Sequence, residues 1–391
     1  MSWDNVKIDD FCDTQTGGTP KRSEGSRFYD GTIPWVKSGE LRESTIYETN
    51  EHITEAAVEE SSAKWVPKGA LLVALYGATV GRIAELGIDA TTNQAVCSII
   101  PRNGRADQRF LFYALQTKVP EWLAKRVGGG QPNISNGIIR ETKIPLPPLS
   151  EQKRIAGILD KADSIVRKRQ QAIGLTEQFL RSTFLDMFGD PVTNPKGWPV
   201  GTIRELVTEA KYGTSKKADV SKGKFPMLRM NNLTYEGTWN LNAMKYVDLE
   251  ADEESKYLVK NGDLLFNRTN SKELVGKTGV YDGPEPMAFA GYLIRSRTNE
   301  KANPEYVSGH LNSPFGKADL RHMCKSIVGM ANINAQEFQD MRIMIPDIAT
   351  QNRYAKIAEK VRTRTKKYES ESQCVDNLFN SLVQRVFRGE L

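Results

Sequence analysis

The apolar residues of segment 145–188 (PLPPLSEQKRIAGILDKADSIVRKRQQAIGLTEQFLRSTFLDMF) fall three and four positions apart. They are Ile155, Ile158, Leu159, Ala162, Ile165, Val166, Ile173, Leu180, Phe184 and Phe188. This spacing predicts a one-sided helical stripe. Pro145, Pro147 and Pro148 can neither continue a helix nor donate ladder hydrogen bonds, so the preceding structure must stop there. Ser150 stands where an N-cap is expected, and Glu151 adds negative charge to the first turn. The opposite face carries Lys153, Arg154, Lys161, Arg167, Lys168 and Arg169. At 1.5 Å rise per residue the helix extends about 57 Å. Such a rod needs a partner to cover its stripe, because an isolated amphipathic helix is marginal in water.

The partner lies in the same chain. Asn133 and Asn332, Pro147 and Pro346, Gln152 and Gln351, Arg154 and Arg353, Ala156 and Ala355, Ile158 and Ile357, Ser182 and Ser381, and Phe188 and Phe387 all pair at an offset of 199. The second helix has its own stripe in Ile357, Val361, Tyr368, Val375, Leu378, Leu382 and Val386. A repeat this long is a duplicated domain plus helix rather than a solenoid unit.

The segments before the helices repeat less strictly. Residues 34–37 (PWVK) answer 226–229 (PMLR) at offset 192, and 68–72 (KGALL) answer 261–265 (NGDLL) at offset 193. Val80-Gly81-Arg82 answers Val275-Gly276-Lys277 at offset 195. Insertions therefore sit in the globular parts while the helices keep one length. A spacer helix rotates everything beyond it by about 100° per inserted residue, whereas loops absorb insertions. Short strand-like runs at 33–36, 70–75 and 95–100, with a helix expected over 109–125 burying Phe110, Leu111, Ala114 and Leu115, make the first globular part mixed α and β. The fold class expected is α+β. Two mixed α/β domains, 1–148 and 191–346, form a pseudo-two-fold repeat, each followed by a long helix, over 149–190 and 347–391, that can cover the other's stripe.

Composition narrows this little. The formal net charge of +6 permits a nucleic-acid partner without requiring one. No run of 18 apolar residues suggests a membrane span, and the N-terminal MSWDNVKIDD has no signal-peptide pattern. Cys12, Cys97, Cys324 and Cys374 are dispersed, which fits reduced structural thiols in a cytoplasmic protein.

No catalytic constellation stands out. Val275-Gly276-Lys277-Thr278 ends like a phosphate-binding loop, but Ser271 stands where its first glycine is required, and a shared hairpin glycine explains it equally with Gly81. Residues 303–306 (NPEY) resemble the catalytic loop of amino-methyltransferases but lack its second proline and a glycine-rich cofactor loop; they read better as a helix start. Glu151-Gln152-Lys153 and Glu254-Ser255-Lys256 have nuclease-like Glu-x-Lys spacing without a Pro-Asp partner. His52, His310 and His322 make no metal-ligand pattern.

Polar, basic, glycine-containing loops recur in both domains. As solvated loops they need no function. Repeated in two domains on a shared spacer, they favour a nucleic acid. The candidate contacts are Lys21, Arg22, Lys37, Glu40, Tyr76, Gln131 and Asn133 in the first domain. In the second they are Lys216, Lys217, Arg229, Asn231, Asn232, Arg268, Asn270, Lys272 and Asn332. Lys37 and Arg229 occupy equivalent places and suit phosphates, which position without specifying. Positions that differ, such as Gly39-Glu40 against Asn231-Asn232 and Leu75-Tyr76-Gly77 against Arg268-Thr269-Asn270, suit base readout. The shared Asn133 and Asn332 suit a structural or phosphate role.

Two divergent domains, each closed by an Asn-Ile segment and a proline-containing turn that runs through SEQKRIA or TQNRYA into a long helix, resemble the specificity subunit of a Type I restriction–modification enzyme (the HsdS family). The resemblance covers essentially the whole chain, including Trp3, Trp198 and the C-terminal VFRGEL; the second copy departs at Ile345-Pro346-Asp347-Ile348, with fewer prolines. It implies two target recognition domains separated by the two long helices packed as an antiparallel coiled coil, which together read an asymmetric site on double-stranded DNA in two parts with a gap, and a subunit without an active site or cofactor of its own. It further implies two methylation subunits per chain, using S-adenosylmethionine, and restriction subunits using ATP and Mg. A stand-alone bipartite DNA-binding protein without a methylation partner, and a fused enzyme with a degenerate loop at 303–306, are the other readings.

Overall fold

The computed structural model describes residues 3–125, 133–327, 330–387 and 390. The chain forms two compact units, residues 1–168 with 372–391 and residues 169–371.

In the first unit, Leu71–Ala74 is a central strand that is buried at every position. Side chains alternate across a strand. Leu71 and Val73 accordingly enter one core with Phe110, Leu111, Leu115 and Trp122 of helix Gln108–Ala124, while Leu72 and Ala74 enter a second with Val36, Val66 and Ala84. The sheet runs in the order Cys12–Thr16, Val96–Pro101, Leu71–Ala74, Ile83–Leu86, Thr45–Ile46. A second sheet orders His52–Ile53, Tyr29–Val36, Ala90–Thr92 and Trp65–Val66, with Trp35 and Thr91 paired in parallel. The helix starts where Asp107 accepts a hydrogen bond from the Phe110 backbone N–H at 3.0 Å, one residue before the expected start.

The second unit repeats this plan. Its main sheet orders Val207–Tyr212, Leu293–Thr298, Leu264–Asn267 and Thr278–Val280; its other sheet orders Lys245–Val247, Phe225–Leu228, Met287–Phe289 and Leu258–Val259, again with a central parallel pair, Met227 with Ala288. In each unit the opening strand pairs antiparallel with the strand leading into a long helix: Asn5–Lys7 with Lys143–Pro145, and Val200–Thr202 with Arg342–Met344. The place of helix Gln108–Ala124 is taken by two, Pro304–Asn312 and Pro314–Met323, because Ser313 caps a new start and Pro314 fits the first turn without a missing donor.

The long helices are Leu149–Phe188 and Ile348–Phe387, 40 residues each, so both starts (348 − 149) and both ends (387 − 188) keep the offset of 199. The first begins with backbone bonds from Glu151 and Gln152 to the Pro148 carbonyl. Ser150 therefore lies inside the first turn and is not the cap the sequence suggested. In the second helix Asp347 caps the Thr350 backbone N–H at 2.8 Å, at the place Pro148 holds in the first. Gly189, at φ +82°, ends the first helix, where a side chain would be strained.

The helices run antiparallel. Within the first unit Ile155 and Leu159 share a core with Val383 and Val386, and Phe110 packs against Phe387 at 5.3 Å between ring centroids. Within the second, Tyr354 packs edge-on against Phe184 and Phe188, both at 5.5 Å, and Thr176 meets Thr365 at 3.0 Å. Three expected stripe residues face outward instead: Ile158, Ile165 and Leu378. The buried seam runs through Ile155, Leu159, Tyr354, Ala358, Thr365 and Ser372, which leaves Ile158 and Ile165 about 100° off it.

Candidate nucleic-acid interface

Strand register places most of the candidate residues at one end of each domain. In the first, Thr16, Cys97 and Val73 lie side by side in the sheet. Strand Cys12–Thr16 ends there, strand Leu71–Ala74 ends one residue later, and strand Val96–Pro101 begins. Val36 lies beside Thr92, and the Asn93 N–H donates to the Val36 carbonyl at 3.0 Å. The loops after residues 16, 36 and 74 therefore gather around the short connection 93–95. The second domain is built identically. Tyr212 lies beside Ile294, which lies beside Phe266, and the Ala290 N–H donates to the Leu228 carbonyl at 2.9 Å. The loops after 212, 228 and 267 gather around 290–292.

The glycines of these loops answer a steric demand. A Cβ on Gly17 would stand 2.0 Å from the Thr92 carbonyl oxygen, and one on Gly213 would stand 2.2 Å from that of Phe289. The chain crosses between sheets at the same point in both domains, and only glycine lets the backbones approach so closely.

In the first domain, Trp35 Nε1 donates to the Gly18 carbonyl at 3.1 Å and the Tyr29 hydroxyl donates to that of Pro20 at 2.5 Å. Lys21 is exposed without an ionic partner among the described residues. Arg22 lies over the Tyr29 ring at 4.2 Å and pairs with Glu51 at 2.7 Å. Lys37 also pairs with Glu51, and these two partners, Lys37 first, hold the Glu51 carboxyl below its ordinary range. The Glu40 carboxylate is spent inside the loop, accepting from the backbone N–H groups of Lys37 and Asn50, both at 3.0 Å, and from the Thr49 hydroxyl at 2.8 Å. Tyr76 is exposed and bridges to Asn133, whose side-chain oxygen is buried without a partner among the described residues. Gln131 and the 128–130 glycines lie outside the described residues.

In the second domain, Asn231 is exposed and its amide is free of partners among the described residues. Asn232 is the opposite: it is buried, accepts from the Arg229 N–H at 3.0 Å and donates to the Asn240 carbonyl at 2.9 Å, so it holds the loop's shape. Arg229 donates to the Ala243 carbonyl at 2.6 Å. Lys216 pairs with Glu253 at 2.5 Å, while Lys217 and Lys272 are exposed. Asn270 donates to Asn267 and accepts from the Ser271 N–H, both at 2.9 Å. Asn332 accepts from the Thr269 hydroxyl at 3.2 Å, beside the backbone pairing that matches Asn133 with Tyr76. Arg268 lies over the Tyr212 ring at 4.7 Å. The sequence places Tyr212 at the head of the candidate loop 212–217 but not among the chosen contacts; the strand register is what brings it to Arg268.

The motifs at 275–278 and 303–306 are tied into the fold by hydrogen bonds. Gly276 and Gly81 adopt φ +80° and +83°, and each donates its N–H back across the hairpin at 2.8 Å. Lys277 is buried and donates to the Met230 and Leu233 carbonyls at 2.6 and 2.5 Å, so its ammonium does not face a phosphate. Asn303 caps a helix, and Tyr306 is buried with its hydroxyl donating to the Met344 carbonyl at 2.8 Å. Burial holds His310 down to about 4. Among the described residues no group of three or more His, Cys, Asp or Glu is placed to hold a metal ion, and no helix is long and apolar enough to cross a membrane.

Residues 1–175 and 195–372 each match the family model for the Type I restriction modification DNA specificity domain. The chain is 27% identical over 292 residues to the Type I restriction enzyme MjaIX specificity subunit of Methanocaldococcus jannaschii, a match covering 67% of each protein. It is 22% identical over 422 residues to the EcoBI specificity subunit of Escherichia coli, covering 100% of this chain and 86% of that one. Its match to the Escherichia coli EcoKI specificity subunit, 26% identical, spans 66% of this chain and 60% of that protein. The fold resembles the crystal structure of the S subunit of a Type I restriction–modification system from M. genitalium, with a TM-score of 0.61 at 15% identity over 98% of this chain and 96% of that one.

Proposed function

We propose, the chain being a member of the family of Type I restriction–modification DNA specificity subunits, that it reads an asymmetric double-stranded DNA site in two short parts, one per domain. The observation that carries this reading is the gathering of polar and basic loops around 93–95 in the first domain and again around 290–292 in the second, on one backbone plan. One frame with different side chains is what two readers of different sequences require. Lys21, Lys217 and Lys272 would contact phosphates, with Lys37 and Arg229 positioning the loops. Asn231, Arg268 and Tyr76 would face bases.

The subunit would carry no chemistry. Two methylation subunits, with S-adenosylmethionine, would dock on the outward helix flanks, where Leu175 and Phe179 (both 54% exposed) and Leu378 (64%) stand; Phe179 and Leu378 occupy equivalent repeat places (378 − 179 = 199). Restriction subunits, with ATP and Mg, would join through that complex. The equal lengths and constant offset of the two helices support a role in setting the gap between the two parts.

Selection of DNA from a random library by the chain assembled with its methylation partner tests the reading. Two fixed blocks of sequence separated by an unspecified spacer are expected. A single continuous block, or enrichment of no sequence, would overturn it.

A further inference from the structure

Backbone hydrogen bonds superimpose two positions of the repeat without ambiguity. The Leu75 N–H donates to Ala95 at 2.8 Å and the Leu75 carbonyl accepts from Ile134 at 3.0 Å. The Arg268 N–H donates to Tyr292 at 3.0 Å and its carbonyl accepts from Ile333 at 2.9 Å. Likewise Thr16 lies opposite Cys97 where Tyr212 lies opposite Ile294. The first domain thus carries Thr16 and a buried Leu75 at the very places where the second carries Tyr212 and Arg268.

Tyr212 is held at both ends. Its backbone closes a strand, and its phenol oxygen accepts a hydrogen bond from the Ala335 N–H at 2.9 Å. The strand end is enough to place the ring, and the Arg268 guanidinium carbon lies 4.7 Å from its centroid. Nη1 donates to the Gly291 carbonyl at 3.4 Å, and Nε is buried without a partner among the described residues. One N–H of Nη1 and both of Nη2 are left, in the planar fork that pairs with the O6 and N7 acceptors of guanine. One long hydrogen bond holds the fork, so the ring 4.7 Å away is its other support.

We propose that Tyr212 is the positioning residue that holds Arg268 to read one guanine in the part of the DNA site recognised by the second domain, an inference that rests on the function proposed above. Adenine-methylation mapping in cells carrying the chain with its methylation partner tests it. Three variants are compared: Tyr212→Phe, which keeps the ring, Tyr212→Thr, the residue that the first domain carries there, and Arg268→Lys, which keeps charge but not the fork. Tyr212→Thr and Arg268→Lys should each lower discrimination at one guanine of one part by about tenfold or more, leaving the other part untouched, while Tyr212→Phe keeps it. Should Tyr212→Thr fail to fold, Tyr212→Leu, which keeps bulk but no ring face, takes its place, with the same loss expected. Unchanged discrimination at every position overturns the proposal, as does uniform loss on all sequences by a folded variant, or a Tyr212→Phe protein that behaves as Tyr212→Thr does. A wild-type chain that directs no two-part motif refutes the function itself, whereas a two-part motif insensitive to these variants refutes only the role of Tyr212.

Discussion

The side-chain oxygen of Gln152 accepts a hydrogen bond from the Asp107 backbone N–H at 2.8 Å, tying the start of the first long helix to the cap of a helix in the domain before it. The amide nitrogen of Gln152 donates to the Pro147 and Arg105 carbonyls at 2.8 and 3.2 Å. Gln351 repeats the arrangement with Asn303 at 2.9 Å, Pro346 at 2.8 Å and Lys301 at 3.0 Å. Each glutamine is almost wholly buried, and each fixes where a domain ends and a spacer begins.

Replacing either glutamine strands a buried donor and two carbonyls. Gln152→Ala and Gln351→Ala should each cost about 2 kcal/mol, read as a fall in the unfolding midpoint of the unit that holds the residue. A variant as stable as the parent would show that the three bonds carry no weight.

Arg295 is fully buried and pairs with Glu209 at 2.9 Å, and Glu209 also meets Arg297 at 3.1 Å. Removing the carboxylate leaves the buried Arg295 charge with the more distant Asp263, 3.9 Å from its Nε. Glu209→Ala should destabilise the second unit by about 3 kcal/mol in denaturant unfolding. A loss below about 1 kcal/mol, the size of an exposed pair, would contradict that.

Burial lowers His310 from its ordinary 6.5 to about 4. Between those values the unfolded chain binds a proton that the folded chain refuses, so stability falls as pH drops. The loss reaches about 3 kcal/mol by pH 4. His310→Leu should remove this slope: the stability difference between variant and parent should shift toward the variant from pH 7 to pH 4. A constant difference across that range would contradict the account.

Lys21, Lys217 and Lys272 are exposed, as phosphate contacts must be. Each Lys→Ala change should weaken binding on all sequences alike and flatten the slope of log affinity against log salt by about 0.9. Asn231→Ala should leave that slope alone and relax one position of one part of the site. Exchanged behaviour would exchange their roles.

Much of this was legible in the sequence. The prolines at 145–148, the 199 offset and the apolar spacing set the helices and the duplication, because those signals are local or strictly periodic. What failed was the choice of face: Ile158 and Ile165 fit a three-and-four pattern yet point outward, while Thr365 and Ser372 are buried, since the seam is set by the partner helix. Ser150 looked like a cap because Ser commonly is one, yet Pro148 already accepts the first bonds. The candidate contacts were harder. Glu40 and Asn232 have the chemistry of base readers, but spend it holding their own loops. The Tyr212 and Arg268 stack joins residues 56 positions apart (268 − 212) through strand register, which composition does not reveal.

The spacer reading has its own consequence. One helical turn removed from both long helices takes out about 5.4 Å and should shorten the unspecified gap of the DNA site without changing either part. An unchanged gap would deny the helices that role.

The most direct measurement is adenine-methylation mapping in cells that carry the methylation partner, with and without this chain. The account predicts a two-part gapped motif that is methylated only when the chain is present. No new methylated motif, with both proteins present and folded, would contradict it and leave a DNA-binding protein without a methylation partner.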